Sequence, residues 1–241
     1  VIYPLAVGGI SAVFAGVVLG QYGQRRRPYQ LVWAIALLMS ALASAGYVLA
    51  LPPNSSQSGF RLYYALGGML MPAWLGLGSL FLVASRRLAE MALALLVNTS
   101  ALGVGAISAA PLNAEALAQL NGRPGTGVLE PGAWLPLTII LNTVGVAAVV
   151  GVAIYTALRR RHLLGANVLI AAGDLVIGAA GAMARTGKPE LFWATMLAGW
   201  IVIFAGFLMA SAAPSTEGSR LDSGRNSRSQ LAVPAGRTPA A

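Results

Sequence analysis

Cysteine is absent from this chain, histidine and lysine occur once each, and 7 acidic residues stand against 16 arginines and lysines. Without cysteine there are no disulfides, thiolate nucleophiles, iron–sulfur clusters or cysteine-ligated zinc. The one histidine, His162, directly follows Arg159, Arg160 and Arg161, so paired histidines for haem or a metal are ruled out. Haem electron transfer and zinc hydrolysis are therefore not expected, and neither is any other cofactor. The shortage of charge reaches further. Charged residues make up 10% of the 241 positions, hydrophobic ones 57%, and the mean hydropathy is +0.72, whereas a soluble domain carries about 25% charge. A lipid bilayer, not a globular core, absorbs that much apolar surface.

In a soluble protein the net charge of +9 would suggest a nucleic-acid partner. Here the basic residues fall in short loops between apolar runs, where they read as membrane orientation, and nucleic acid is not expected. Seven runs are long enough to span: roughly Ile2 to Gly20, Leu31 to Leu51, Leu62 to Ala84, Leu88 to Ala110, Trp134 to Leu158, Leu163 to Ala184 and Leu191 to Ala210. The fold class is all-α, a seven-helix transmembrane bundle over residues 1–210. The first run lacks the basic flank and small-residue cleavage site of a secretory signal and reads as a true span, with the initial Val compatible with truncation or a non-standard start.

One side of the bundle collects Arg25, Arg26, Arg27, Arg86, Arg87, Arg159, Arg160 and Arg161 together with Arg220, Arg225, Arg228 and Arg237. The other side holds Arg61, Arg123, Arg185 and Lys188. Because cytoplasmic loops hold the excess of basic residues, this places the N-terminus outside and the C-terminus in the cytoplasm, in a plasma (inner) membrane of bacterial type. From Ser211 onward the chain turns rich in Ser, Gly, Pro and Arg; residues 211–241 are expected to form a disordered basic cytoplasmic tail, able to touch anionic headgroups weakly. After the fourth span, Ala114 to Leu120 reads as a short surface helix or lid, with Asn113 as its N-cap and Asn121-Gly122 as its stop.

AVFAGVVLGQYGQRRRPYQ leads into the second span much as VAAVVGVAIYTALRRRHLLGAN leads into the sixth, and Tyr63-Tyr64 opens the third span as Phe192-Trp193 opens the seventh. This is a candidate 3+1+3 parallel repeat, and its layout resembles that of the SWEET and PQ-loop transporters. The likeness is one of topology: the Pro-Gln dipeptide is missing, and Pro72 and Pro136 do not recur in equivalent places. The plan is also similar to that of microbial rhodopsins, but the lysine a retinal Schiff base requires is not in the seventh span, since Lys188 precedes it. The input modules of bacterial histidine kinases offer a third likeness, without a kinase domain after the last helix.

Asp174 lies near the middle of the sixth span, where a carboxylate costs on the order of 3 kcal/mol on insertion scales. It is expected to face the bundle interior, either making one structural hydrogen bond or exchanging a proton or binding a solute. Gly173, Gly178 and Ala182 around it permit close helix contact or a cavity. Candidate partners are Asn98 and Thr99 in the fourth span, Ser40 and Ser44 in the second, and Asn142 in the fifth; of these Asn98 and Asn142 are singled out, because Ser and Thr satisfy themselves on their own helix. Arg61 can hold an anionic group or snorkel to lipid phosphate. Trp134, Tyr63, Tyr64, Phe192 and Trp193 read as an interfacial aromatic belt. Gly8, Ala12, Gly16 and Gly20 form a small-residue face for helix packing or for a membrane-protein partner.

No nucleophile and base pair occurs in a span, and Glu90 has no second acid at catalytic spacing, so an enzyme is not expected. The expected function is to bind or transport a small solute through a polar site at Asp174. The alternative is a non-catalytic sensory or accessory subunit of a membrane complex.

Overall fold

The computed structural model describes residues 2–186 and 188–212; of the expected tail, Ser211 and Ala212 continue the last helix and the rest lies outside the described residues. Its α-helices are α1 (Ile2–Arg25), α2 (Pro28–Ala50), α3 (Gln57–Tyr63), α4 (Met71–Val83) and α5 (Arg86–Ala109), followed by the short α6 (Ala114–Ala118) and then α7 (Trp134–Arg159), α8 (Leu164–Arg185) and α9 (Phe192–Ala212). A π-helical turn, Tyr64–Leu70, joins α3 to α4, so Gln57–Val83 forms one span. The described residues thus contain seven helices long and apolar enough to cross a membrane. The protein is a helical, multipass membrane protein in its architecture.

Local chemistry sets the helix ends. Pro28 opens α2, where its missing N–H costs nothing. Ser56 caps α3 by accepting from the Gly59 N–H at 3.1 Å, and Ser85 caps α5. Asn113 caps α6 as expected, its Oδ1 accepting from the Ala116 N–H at 3.0 Å, and Asn121 and Gly122 follow with φ of 40° and 82°.

Around the bundle, α1 packs on α2, α2 on α3 and α4, α4 on α7, α7 on α8, α8 on α9, and α9 back on α1. The fourth span, α5, packs against α4, the π turn and α7, and most of its surface is exposed. The arginines of the α1–α2, α4–α5 and α7–α8 turns share one end of the bundle. At the opposite end the connection 110–133 folds inward: Leu117, Leu120, Val128 and Leu129 are buried, and the Tyr47 hydroxyl donates to the Arg123 carbonyl at 2.6 Å. The surface helix therefore covers the end of the bundle and does not lie on the lipid.

Apolar side chains gain little from leaving lipid for a helix contact, so close backbone packing carries the association. Three glycine pairs provide it. Gly46 faces Gly59 between α2 and α3, Gly76 faces Gly145 between α4 and α7, and Gly173 faces Gly199 between α8 and α9. In the first pair a Cβ on either glycine would lie 2.8 or 2.7 Å from the other's carbonyl oxygen. The face anticipated on α1 behaves differently. Gly8 meets Ser44 of α2, but Ala12, Gly16 and Gly20 are exposed, and open space surrounds Gly16 and Gly20.

Candidate functional site

The Gly173–Gly199 crossing presses one face of α8 onto α9, and the next residue, Asp174, is turned into the bundle with 3% of its surface exposed. It lines a cavity of about 280 Å³. Among the described residues Asp174 is the only charged one in the lining; Ser40, Ser44, Asn142 and Thr143 add polarity, and Met71, Ile177 and Met196 supply much of the rest. The carboxyl oxygen Oδ2 is buried without a hydrogen-bond partner, and so is the amide oxygen Oδ1 of Asn142. Buried polar groups are nearly always paired, so these two oxygens and the Trp193 Nε1–H, also buried without a partner in the same lining, mark a site whose polar groups the protein leaves unsatisfied.

Asn142 is held by the irregularity in the third span. A regular helix would bond the Gly68 carbonyl to the N–H of residue 72, but residue 72 is proline and has none. The chain widens into the π turn, with the Met71 N–H bonding back to the Leu66 carbonyl. The freed Gly68 carbonyl accepts from Asn142 Nδ2 at 2.9 Å. The Oδ1 of the same amide is buried without a partner, and Asn142 lines the cavity together with Gly67 and Gly68. A π turn at a functional site is a recurrent arrangement. The signal was present in the sequence as two glycines followed four residues later by proline.

The serines are already satisfied. Ser40 and Ser11 share a hydrogen bond at 2.9 Å, and Ser44 donates to the Ser40 carbonyl at 3.0 Å. Asn98 is not brought to Asp174: it is exposed on α5, and its amide donates to the Ala94 carbonyl at 2.8 Å, while Thr99 bonds the Leu95 carbonyl. Because α5 stands beside the ring of other spans, no face of it reaches the cavity. Arg61 does not snorkel. Its guanidinium donates to the Ile107 and Ala110 carbonyls, supplying donors to the unpaired C-terminal end of α5.

Comparison of the chain with protein-family models, with curated proteins and with solved structures finds no match. The chemistry of the cavity therefore has to be read from its own walls and closures.

The residues anticipated as a lipid-facing aromatic belt are mostly interior. Tyr63, Trp134 and Trp193 are buried, and only Tyr64 and Phe192 are partly exposed. Tyr47, Tyr63 and Trp193 form a mutual cluster, with ring centroids 5.0 Å (Tyr47–Tyr63), 4.6 Å (Tyr47–Trp193) and 5.9 Å (Tyr63–Trp193) apart. Tyr63 and Trp193 also line the cavity, so this cluster and the connection packed over it close the cavity toward that end of the bundle. Toward the arginine end, Trp33 donates to the carbonyl of the lining residue Leu75 at 3.2 Å, and Phe14, Trp200 and Phe207 pack together as a buried layer. Beyond that layer lies a wider recess bordered by Arg25, Arg27, Arg159 and Arg160.

Proposed function

We propose that the protein is a non-enzymatic membrane protein that binds a small solute at Asp174 and carries it across the plasma (inner) membrane. The observation that carries this reading is Asp174 itself, a buried acid with an unpartnered carboxyl oxygen, in the lining of a cavity large enough for a small molecule. A structural carboxyl would have its hydrogen bonds within the protein; the Oδ2 of this one has none among the described residues. Asn142 supplies a second acceptor, held in place by the π turn. The proposed orientation has the arginine end in the cytoplasm and the N-terminus outside. The candidate 3+1+3 repeat is in keeping with α5 standing apart while the other six spans pack each on the next. The test is solute-dependent melting of the protein in lipid nanodiscs against a panel of small cations, anions and neutral polar molecules. A solute that raises the melting temperature of the wild type and not of Asp174→Asn supports the reading, and a panel acting equally on both overturns it.

A second reading, a sensory or accessory subunit, is favoured by the outward placement of Ala12, Gly16 and Gly20, where a partner helix could approach closely. Purification from native membrane in mild detergent separates the two. A stable complex with another protein, lost on Gly16→Leu, supports the subunit.

A further inference from the structure

The cavity is closed along the bundle axis but open at its side. Ile139 and Thr143 of α7 and Gly178, Gly181 and Ala182 of α8 all line it, and all five are exposed. Among the described residues nothing lies within 4 Å of where a Cβ on Gly181 would stand, and the nearest atom to one on Gly178 is Val146 Cγ2 at 3.9 Å. Among the described side chains, none seals the seam between α7 and α8 at Gly181. At 1.5 Å per residue, Gly178 sits about 10 Å of helix axis before the end of α8 at Arg185, within the apolar part of the span. The opening faces lipid.

The lining also selects by charge. Among the described residues it contains one acidic residue and no Arg, Lys or His, and its buried polar atoms without a partner are two oxygens, on Asp174 and Asn142, and the Trp193 Nε1 donor. An anion would find no basic side chain among the described lining residues to neutralise its own charge. A group that brings several N–H donors and accepts a proton suits the two oxygens, and the aromatic rings of Tyr63, Phe192 and Trp193 in the same lining favour an ammonium.

Resting on the reading of the Asp174 cavity as a solute site, we propose that the solute is an organic amine that reaches it from the bilayer through the α7–α8 seam. The amine crosses the lipid uncharged. At the site the Asp174 carboxyl gives up its proton: the O–H bond breaks, an N–H bond forms on the amine nitrogen, and a carboxylate–ammonium pair of zero net charge remains. The apolar body of the ligand lies against Met71, Ile177 and Met196. Asn142 Oδ1 accepts from a second ammonium N–H.

The experiment uses three probes that share one body: phenethylamine, phenethyl alcohol and phenylacetate, measured on the full chain in phosphatidylcholine nanodiscs. The amine is expected to bind at least about tenfold more tightly than the alcohol, and the acid not measurably. Asp174→Asn is expected to weaken the amine about tenfold and leave the alcohol unchanged. Gly181→Trp, which has open space to fill, is expected to slow amine association several-fold, while Val168→Trp, on the exposed face of the same helix, is not. Melting temperatures of both tryptophan variants check that they are folded. Asp174-dependent binding of the alcohol or the acid as tight as that of the amine overturns the amine assignment and leaves the solute site standing. Unchanged association in a folded Gly181→Trp overturns the lateral route. Absence of binding by all three probes, or binding indifferent to Asp174, overturns the proposal and the underlying site together.

Discussion

Gly173 of α8 and Gly199 of α9 pack backbone against backbone: a Cβ on Gly173 would lie 2.8 Å from the Gly199 carbonyl oxygen, and one on Gly199 would lie 2.9 Å from that of Gly173. Backbone cannot give way as the end of a flexible side chain can. Gly173→Ala should therefore push the helices apart and turn Asp174 from its place. The expected cost is about 1–3 kcal/mol, the usual range for overpacking a tight contact. Gly181→Ala, about two turns further along the same helix and on the open seam, should cost nothing measurable. Thermal unfolding of both variants in the same detergent checks the contrast.

The bond from Asn142 to the Gly68 carbonyl gives a second test. Asn142→Leu keeps the volume but removes the donor supplied to a carbonyl that Pro72 has left without its regular helical partner. A buried carbonyl left unpaired costs about 1–3 kcal/mol. The double variant Asn142→Leu with Pro72→Ala should recover part of this, because alanine restores the N–H that a regular helix would offer. A double-mutant cycle on unfolding free energies reads the coupling, and strict additivity would show that proline and asparagine are unrelated.

Arg61 makes a third case. Its forked guanidinium reaches two carbonyls at the end of α5, and a lysine at that position has a single ammonium in place of the fork. Arg61→Lys should therefore keep the charge and still lose stability, by about 1 kcal/mol for the missing bond. Equal melting of the Lys variant and the wild type would show that charge alone suffices there.

Hydropathy and length made the seven spans legible, since a run such as Leu31 to Leu51 has no stable alternative to a membrane helix. Burial of Asp174 was legible for a related reason: an acid in the middle of a span is too costly to leave facing lipid. Direction around the helix axis was not. Asn98 and Asn142 look alike in sequence, yet one faces outward on α5 and the other lines the cavity, because helix rotation is decided by packing partners far along the chain. Tyr63 and Trp193 read in sequence as surface aromatics for the same reason; span ends attract aromatics whether these point to lipid or inward. Gly8 meets a helix and Gly16 does not, although both belong to one stripe.

Orientation can be read by single-cysteine labelling, because the natural chain contains no cysteine. Gln24 near the arginine end and Asn54 at the opposite end are both exposed. With the arginine end in the cytoplasm, Asn54→Cys should react with a membrane-impermeant maleimide on intact cells, and Gln24→Cys only after the membrane is opened. The reverse pattern would invert the proposed topology.

Substitution of Asp174 separates a structural acid from a functional one. If its role were a structural hydrogen bond, Asp174→Leu would strand a partner and weaken the bundle. The structure gives its buried Oδ2 no such partner, so leucine removes an unsatisfied polar atom and adds apolar volume beside a cavity. Asp174→Leu should thus melt above the wild type, by an amount on the order of 1–3 kcal/mol, while abolishing solute-dependent stabilisation. Gain of stability with loss of binding is the signature of a residue retained for function. Asp174→Asn keeps a polar side chain of similar size and removes the exchangeable proton, so it should fold as the wild type does and lose any proton-coupled uptake. Melting temperature and flux in proteoliposomes, measured for both variants, decide the matter. A destabilised leucine variant would mean the acid is structural, and an asparagine variant with full pH-dependent flux would end the case for proton exchange.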